Sequence, residues 1–355
     1  MKRVLVAPLD WGLGHATRCI PLIKYLLEKK VEVIMGADGR PFHLLSKEFP
    51  DLSLVTMPGY AIRYPDKGFM LLKIASQIPA IYERIKQEHK QLKGLIKSLK
   101  IDAVISDNRF GLWSEEVPCV FITHQLRVKS PIAESFLYNL NMRYISRFSE
   151  CWIPDVALPQ NKLSGDMSSQ VDLPAHAQYI GLLSRFTSTG SIKDIKRKLL
   201  VILSGPEPQR TLFEKIIIEQ LKQVKDISAL VVQGITESLE RKKIGEHIEL
   251  VSYLTSDELQ EAILSSEVVL SRSGYSTIMD MAVLGKKAIF VPTPGQTEQE
   301  YLANYLSQKN MAYAVSQSKL NLQKAYQEAT TCKGFTGNYF SSGYQAAIDG
   351  LLEKI

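Results

Sequence analysis

Val268-Val269-Leu270-Ser271-Arg272-Ser273-Gly274-Tyr275-Ser276-Thr277-Ile278-Met279-Asp280 passes from a short apolar run, through a Ser-Gly turn, into residues with helical periodicity. The run suits a buried strand, and the turn that follows opens a helix. A helix N-terminus placed there leaves backbone N–H groups and hydroxyls converging at one point, where a diphosphate can sit. Asp280 lies one helical turn beyond Ser276 and Thr277. It is placed to accept hydrogen bonds from two ribose hydroxyls, and equally to be a solvated carboxylate on a helix surface.

The same alternation extends in both directions from this stretch. A strand over 288–291 enters the loop Pro292-Thr293-Pro294-Gly295-Gln296-Thr297-Glu298-Gln299-Glu300, whose amides and carboxylates suit the hydroxyls of a sugar ring or the start of a capped helix. Further strands are expected at 199–203, 229–233, 248–251 and 312–315. An earlier series occupies 4–7, 31–36, 52–57, 103–106, 117–123 and 151–154, with helices at about 16–30, 70–100 and 130–148. Apolar runs alternating with helical segments define an α/β protein with parallel sheets covered by helices. The pattern restarts after Ser184–Lys193 (SRFTSTGSIK), a polar connection that places a domain boundary near residue 190. Two Rossmann-like domains follow, 1–190 and 191–355, the last helix being free to pack back on the first. Ligands bind at the carboxyl ends of such sheets, so two domains face to face would line a cleft with strand ends on both walls.

Composition agrees with two folded domains and narrows the function classes. The 355 residues are 45% hydrophobic and 23% charged, which excludes a disordered or fibrous chain. Of the net charge of +6, most sits in residues 1–182, with 23 Lys+Arg against 18 Asp+Glu. That excess is compatible with an anionic acceptor or membrane surface, and with a plainly solvated one. Cys19, Cys119, Cys151 and Cys332 stand apart, without CxxC pairs or histidines at metal-ligand spacing, and are expected to be reduced thiols. Met1-Lys2-Arg3 leads directly into a strand broken by Pro8 and Asp10, too short a run for a signal peptide. No apolar run approaches the roughly 20 residues of a membrane span, so the cytoplasm is the expected compartment.

In the first domain, Gly12-Leu13-Gly14-His15-Ala16-Thr17 follows the first strand. Thr17 occupies the third glycine position of a dinucleotide loop, which argues against a nicotinamide enzyme. His15 opens the first helix, where a neutral imidazole can take a proton from an acceptor hydroxyl; a loop or capping histidine would stand there too. The fourth strand ends in Ser106-Asp107-Asn108-Arg109, so Asp107 is placed to orient His15 or to cap a helix, and Arg109 to meet an acceptor. His124, after the fifth strand, is a rival base or an acceptor contact. Tyr60, Arg63, Tyr64 and Phe69 form an aromatic and basic loop that could hold an acceptor or simply pack.

Taken together, these positions resemble the GT-B glycosyltransferases with a MurG-like, family 28-type C-terminal domain. In layout the likeness covers most of the chain; it is specific over 247–308, where strand, SRSG turn, acidic helix residue, AVLGKKAIFVP and polar loop occur in the family's order. The resemblance implies a GT-B fold, two Rossmann-like domains facing a central cleft. It implies a hexosyltransferase-type enzyme that moves a sugar from a nucleotide-sugar, a UDP-sugar by the family's pattern, to an acceptor hydroxyl. The diphosphate would lie against Ser273, Gly274 and Thr277, with Asp280 on the ribose and Gln299 and Glu300 facing the sugar. The backbone at Leu254 would read the uracil edge, Ser204-Gly205 would form the second phosphate-side turn, and His15 would match the histidine of the N-terminal glycine-rich loop. Two departures stand out: Trp11-Gly12-Leu13-Gly14-His15 replaces Gly-Gly-Thr-Gly-Gly-His, and Glu300 replaces a second glutamine. Peptidoglycan lipid I is therefore not supported as the acceptor, which is left open; a glycolipid or cell-envelope precursor, with peripheral contact at the inner membrane face, is one candidate.

The expected reaction is an inverting transfer with His15 as base, Asp107 orienting it, and the helix N-terminus with Arg272 carrying the charge of departing UDP. No DxD-type acidic motif calls for a metal, no cofactor is expected because the nucleotide-sugar is a substrate, and no nucleic-acid partner is implied. Two rivals stay open. One is a nucleotide-sugar epimerase on the same architecture, the other a nucleotide-sugar-binding partner subunit without turnover. The presence of both His15 and the donor motif argues against the second.

Overall fold

A computed structural model describes residues 1–60, 77–130, 133–169, 173–187, 194–205, 207–235, 239–337, 339 and 343–355. The described residues up to Arg185, together with Tyr339–Ile355, form one compact unit, and those from Phe186 to 337 form another. The change of unit falls between Arg185 and Phe186, while residue 190 itself lies outside the described residues.

Unit 1 contains β1 (Arg3–Pro8), β2 (Glu32–Ala37), β3 (Ser53–Thr56), β4 (Ala103–Asp107), β5 (Cys119–Ile122), β6 (Glu150–Ile153) and β7 (Ala177–Tyr179). They pair in parallel in the order β3-β2-β1-β4-β5-β6-β7. The helices are α1 (Leu13–Glu28), α2 (Gly39–Glu48), α3 (Ile78–Leu99), α4 (Glu134–Ile145), the single turn α5 (Asp166–Ser169), and, from the far end of the chain, α11 (Gly343–Leu352). Val4, Leu5, Val6 and Ala7 of β1 are all fully buried, as a central parallel strand with both faces covered requires. Leu5, Ile34, Val104 and Phe121 pack with Leu92 and Ile96 of α3 and Ile145 of α4, each large apolar side chain stabilising the unit by roughly 1.5–3 kcal/mol.

Unit 2 contains β8 (Arg197–Ile202), β9 (Ala229–Val232), β10 (Arg241–Ile244), β11 (Ile248–Val251), β12 (Ser266–Ser271), β13 (Lys287–Phe290) and β14 (Tyr313–Ala314). The order is β10-β11-β9-β8-β12-β13-β14, parallel except for β10, which runs antiparallel along the edge. Its helices are α6 (Gln209–Gln223), α7 (Ser256–Leu264), α8 (Tyr275–Val283), α9 (Thr297–Gln308) and α10 (Leu322–Thr331). Phe213, Ile217 and Leu221 of α6 and Leu322, Ala325 and Ala329 of α10 meet Val201, Leu270 and Ile289 of the sheet in the core.

Each sheet has one place where the chain reverses its direction of travel across the strands. In unit 1 it lies between β1 and β4, because β1 leads to β2 on one side and the chain returns to β4 on the other. In unit 2 it lies between β8 and β12. The crevice outside the carboxyl ends of the strands at such a point is where open α/β sheets bind ligands.

Candidate active site

In unit 1, β1, β4 and β5 are neighbours, so the residues at their carboxyl ends are brought together. Gly12 is the N-cap of α1, with φ 99° and no side-chain cap, and open space stands where its Cβ would be. Three residues on, His15 Nδ1 lies 3.1 Å from Oδ1 of Asp107, the last residue of β4. Asp107 is fully buried, whereas the His15 side chain keeps 14% exposure. His124, beyond the end of β5, is also buried.

A fourth member of this cluster, Arg18, was not among the expected residues. It is one turn beyond His15 on α1 and is buried. Its Nε donates to Asp107 Oδ2 at 2.5 Å and Nη2 to Oδ1 of the same carboxylate. Nη1 stands 3.2 Å from His124 Nδ1, and Nη2 stands 2.9 Å from His15 Nδ1. Burial alone pushes the Asp107 carboxyl up, but Arg18 and then His15 reverse that effect and hold it at about 2. The spacing of His15 and Arg18 on one face of a helix was the available signal. Cys19 Sγ also contacts Asp107 Oδ2, and burial pushes its thiol well up, which makes it an inert neighbour.

Arg109 requires a correction. Expected as an acceptor contact, it is fully buried, with Nε donating to Glu88 Oε1 at 2.5 Å and Nη1 and Nη2 donating to the carbonyls of Pro8, Met57 and Pro58. All its donors are consumed in tying three chain segments together. Glu88 Oε2 also accepts from Tyr60 Oη and Gly111 N, which makes Tyr60 part of the same buried tie. Arg63, Tyr64 and Phe69 lie outside the described residues.

In unit 2 the expected donor residues gather at the ends of β8, β12 and β13, which are adjacent in the sheet, and beyond β11. Gly205, next to Ser204 after β8, has φ 105°, a conformation that favours glycine, and open space where a Cβ would be. Gly274 is the N-cap of α8, without a side-chain cap, and it too faces open space. Thr277 and Asp280 follow on that helix; Asp280 is buried, which excludes the solvated surface carboxylate. Leu254 is buried after β11, and its main-chain N–H and C=O have no hydrogen-bond partner among the described residues.

Three donor expectations are modified by the contacts observed. The Ser273 hydroxyl donates inward to the carbonyl of Gln299 at 2.8 Å, so toward a diphosphate Ser273 has no donor left but its backbone N–H. Gln299 Oε1 and Glu300 Oε1 accept from the N–H groups of Thr293 and Gly295, so they hold the loop ahead of α9, whose N-cap Gln296 makes no side-chain cap. Arg272 is buried against the ring of Phe213, its guanidinium carbon 3.8 Å from the ring centre. Nη1 donates to the carbonyls of Val291 and Pro292, and Nη2 to those of Gln209 and Gln317 Oε1. One guanidinium thereby clips the start of α6 to the segments after β13 and β14. Burial pulls Arg272 down to about 9, which still leaves a cation at neutral pH.

Residues 200–334 match the glycosyltransferase family 28 C-terminal domain. The UDP-N-acetylglucosamine--N-acetylmuramyl-(pentapeptide) pyrophosphoryl-undecaprenol N-acetylglucosamine transferase of Pasteurella multocida is 23% identical over 333 residues, 91% of this chain and 86% of that protein. An uncharacterized glycosyltransferase of Methanosarcina acetivorans is 24% identical, over 89% of this chain and 86% of its own length. Among solved structures, the calicheamicin glycosyltransferase CalG4 superposes with a TM-score of 0.65 at 12% identity, covering all of this chain and 99% of that one. MurG of Acinetobacter baumannii superposes with 0.59 at 14% identity, over 99% of this chain and 100% of its own. The fold is GT-B, and the chain is a glycosyltransferase of that class. Within the class it is MurG-like, its second unit carrying the family 28 C-terminal domain.

Proposed function

We propose that the protein transfers a sugar, with inversion, from a UDP-sugar to an acceptor hydroxyl, with His15 as general base. The observation that carries this reading is the pairing of His15 Nδ1 with the ionised Asp107 at the switch point of unit 1. With its proton on Nδ1, the imidazole keeps Nε2 for the acceptor. In the proposed step Nε2 takes the hydroxyl proton as the acceptor oxygen bonds to the anomeric carbon. The bond from that carbon to the diphosphate oxygen breaks, and its electron pair leaves with UDP. Asp107 stabilises the imidazolium without being protonated.

The donor is proposed to lie in unit 2. Its diphosphate rests against the uncapped first turn of α8 at Gly274 and Thr277 and the turn at Ser204-Gly205, its ribose against Asp280, and its uracil along the main chain at Leu254. Gln299 Nε2 and Glu300 Oε2, not used in holding the loop, are left for the sugar. Arg272 acts from beneath: it holds the loops in place and adds a positive field for the departing diphosphate. The acceptor is a hydroxyl compound, with a glycolipid or cell-envelope precursor as the first class to screen. Among the described residues no helix is long and apolar enough to cross a membrane, so a lipid acceptor would be met at a membrane surface.

The test is UDP release from a panel of UDP-sugars, with and without candidate acceptor alcohols, by wild type and His15→Gln. Removing the base should lower the rate by roughly 10²- to 10⁴-fold while UDP affinity stays within about twofold. A His15→Gln enzyme of near wild-type rate would remove His15 from the mechanism. Conversion of the UDP-sugar without UDP release would identify an epimerase instead.

A further inference from the structure

Resting on the reading of unit 1 as the acceptor side with His15 as base, we propose that Trp11 determines acceptor specificity. Its indole is a platform for the face of a sugar ring, so that the acceptor hydroxyl is carried by a glycoside. Trp11 is 40% exposed, an uncommon state for so large an apolar ring. Of the three tryptophans, Trp152 is fully buried and Trp113 is stacked on His89, with ring centres 4.1 Å apart. Where the family 28-type loop has only glycine and threonine ahead of its histidine, this chain places an indole.

The turn that carries the indole is fixed. Leu9 is buried and its N–H donates to the carbonyl of Asp107 at 2.9 Å, while His15 Nδ1 meets Oδ1 of Asp107. Both ends of the stretch 9–15 are thus fastened to one residue. Between them, Asp10 Oδ1 accepts from Tyr60 N at 3.2 Å, and its carboxylate fills the space where a Cβ on Gly59 would stand. Gly12 N donates to the carbonyl of Asp10 at 2.8 Å, which closes a three-residue turn with Trp11 at its tip. Asp10 is turned inward, and the indole stands part-exposed at the strand-end rim, where open α/β sheets bind ligands. Four residues from His15, the Trp11 Cα stands no more than about 14 Å from that of the base even along an extended chain, and the turn shortens the reach. Held in this way, the platform loses little conformational freedom when a ligand stacks on it.

The chemistry of the loop selects the ligand. A pyranose ring presents C–H groups on its faces and hydroxyls around its rim. The indole suits the face, and His15 a hydroxyl of the rim. An alkyl chain would satisfy the indole but would dehydrate the charged and polar groups beside it, at a cost nothing repays.

Binding and transfer each read the platform. Protection of Trp11 fluorescence from acrylamide quenching is measured on the full-length protein with a panel of methyl glycosides and disaccharides, and with cyclohexanol and 1-octanol. UDP release from UDP-sugars is then measured with the same compounds as acceptors. The expected result is protection by at least one glycoside, a signal that disappears in Trp11→Ala. In that variant the KM for the same glycoside should rise at least about tenfold, with kcat changed less than KM and with UDP affinity and thermal stability unchanged; Trp11→Phe should recover most of the loss. Protection by the simple alcohols alone, or by no compound, would overturn the proposal, and so would an acceptor KM unchanged in Trp11→Ala. Protection by a glycoside without UDP release would sink the transfer reading and leave the platform standing, whereas UDP release to the alcohols with Trp11 unprotected would do the reverse.

Discussion

Asp107 concentrates the chemistry of unit 1 in one buried carboxylate. Burial opposes its charge, and only Arg18 and His15 make ionisation favourable. A carboxyl held at about 2 contributes stability that is fully present above its ordinary value of 3.8 and is lost as pH falls toward 2. Asp107→Asn should remove this contribution and leave Arg18 without its counter-charge, at a cost of about 3–5 kcal/mol at neutral pH. Urea unfolding at several pH values checks it: the wild type should lose stability between pH 3.8 and about 2, whereas the variant should show a much flatter dependence there. Equal stability of the two proteins at neutral pH would contradict the pairing. Arg109 and Arg18 make an instructive contrast. Both are buried arginines near strand ends, but Arg109 is bound to Glu88 and backbone carbonyls as a structural tie, while Arg18 faces two imidazoles.

Among the elements, the glycines at strand ends allow the proposed ligand binding to be tested apart from folding. Gly274 has φ −71° and open space at its Cβ position, so alanine fits its backbone and meets no atom of the unit. Gly274→Ala should change stability by less than about 1–2 kcal/mol, mainly through the weaker N-cap, yet weaken UDP binding about tenfold by placing a methyl where the diphosphate approaches the α8 terminus. Thermal unfolding and calorimetry on the same sample check this, and unchanged UDP affinity would remove the α8 terminus from the donor site. The SRSG turn and the strands around it were legible because apolar runs and a Ser-Gly turn follow directly from backbone geometry, whereas the glycine at 205 was legible only through the resemblance to the family 28-type glycosyltransferases. Less legible were β10, an edge strand of sequence Arg-Lys-Lys-Ile with little apolar signal, the three-residue β7, and α2, whose apolar face is brief. Side-chain assignments at the site were less legible still. The inward turn of the Ser273 hydroxyl and the consumption of the Arg109 donors depend on partners far away in sequence.

Across the whole molecule, one chain builds two parallel-sheet units, each with its own switch point, and places different chemistry at each. Unit 1 provides the buried charged and imidazole cluster, and unit 2 an uncapped helix terminus with bare glycine backbone. The chain ends in unit 1, where Ile348 and Leu351 are fully buried and Asp349 accepts from Tyr25 Oη and pairs with Lys29. The sequence signalled the two-unit plan through the restart of its strand pattern and left the last helix free to pack back on the first domain, and tertiary packing places it in unit 1. Cys19, Cys119 and Cys151 are free and buried, with Cys119 and Cys151 pushed up to about 12 by burial, so these three contribute packing. Unit 2 is proposed to hold a nucleotide-sugar donor by its nucleotide. Its most direct test is calorimetric titration of the full-length protein with UDP, GDP and dTDP, in buffer containing a metal chelator. Saturable one-to-one binding is expected, tightest for UDP and weakened at least about tenfold by Asp280→Ala, as the loss of hydrogen bonds to a charged group implies; absence of binding by all three nucleotides would overturn the donor site.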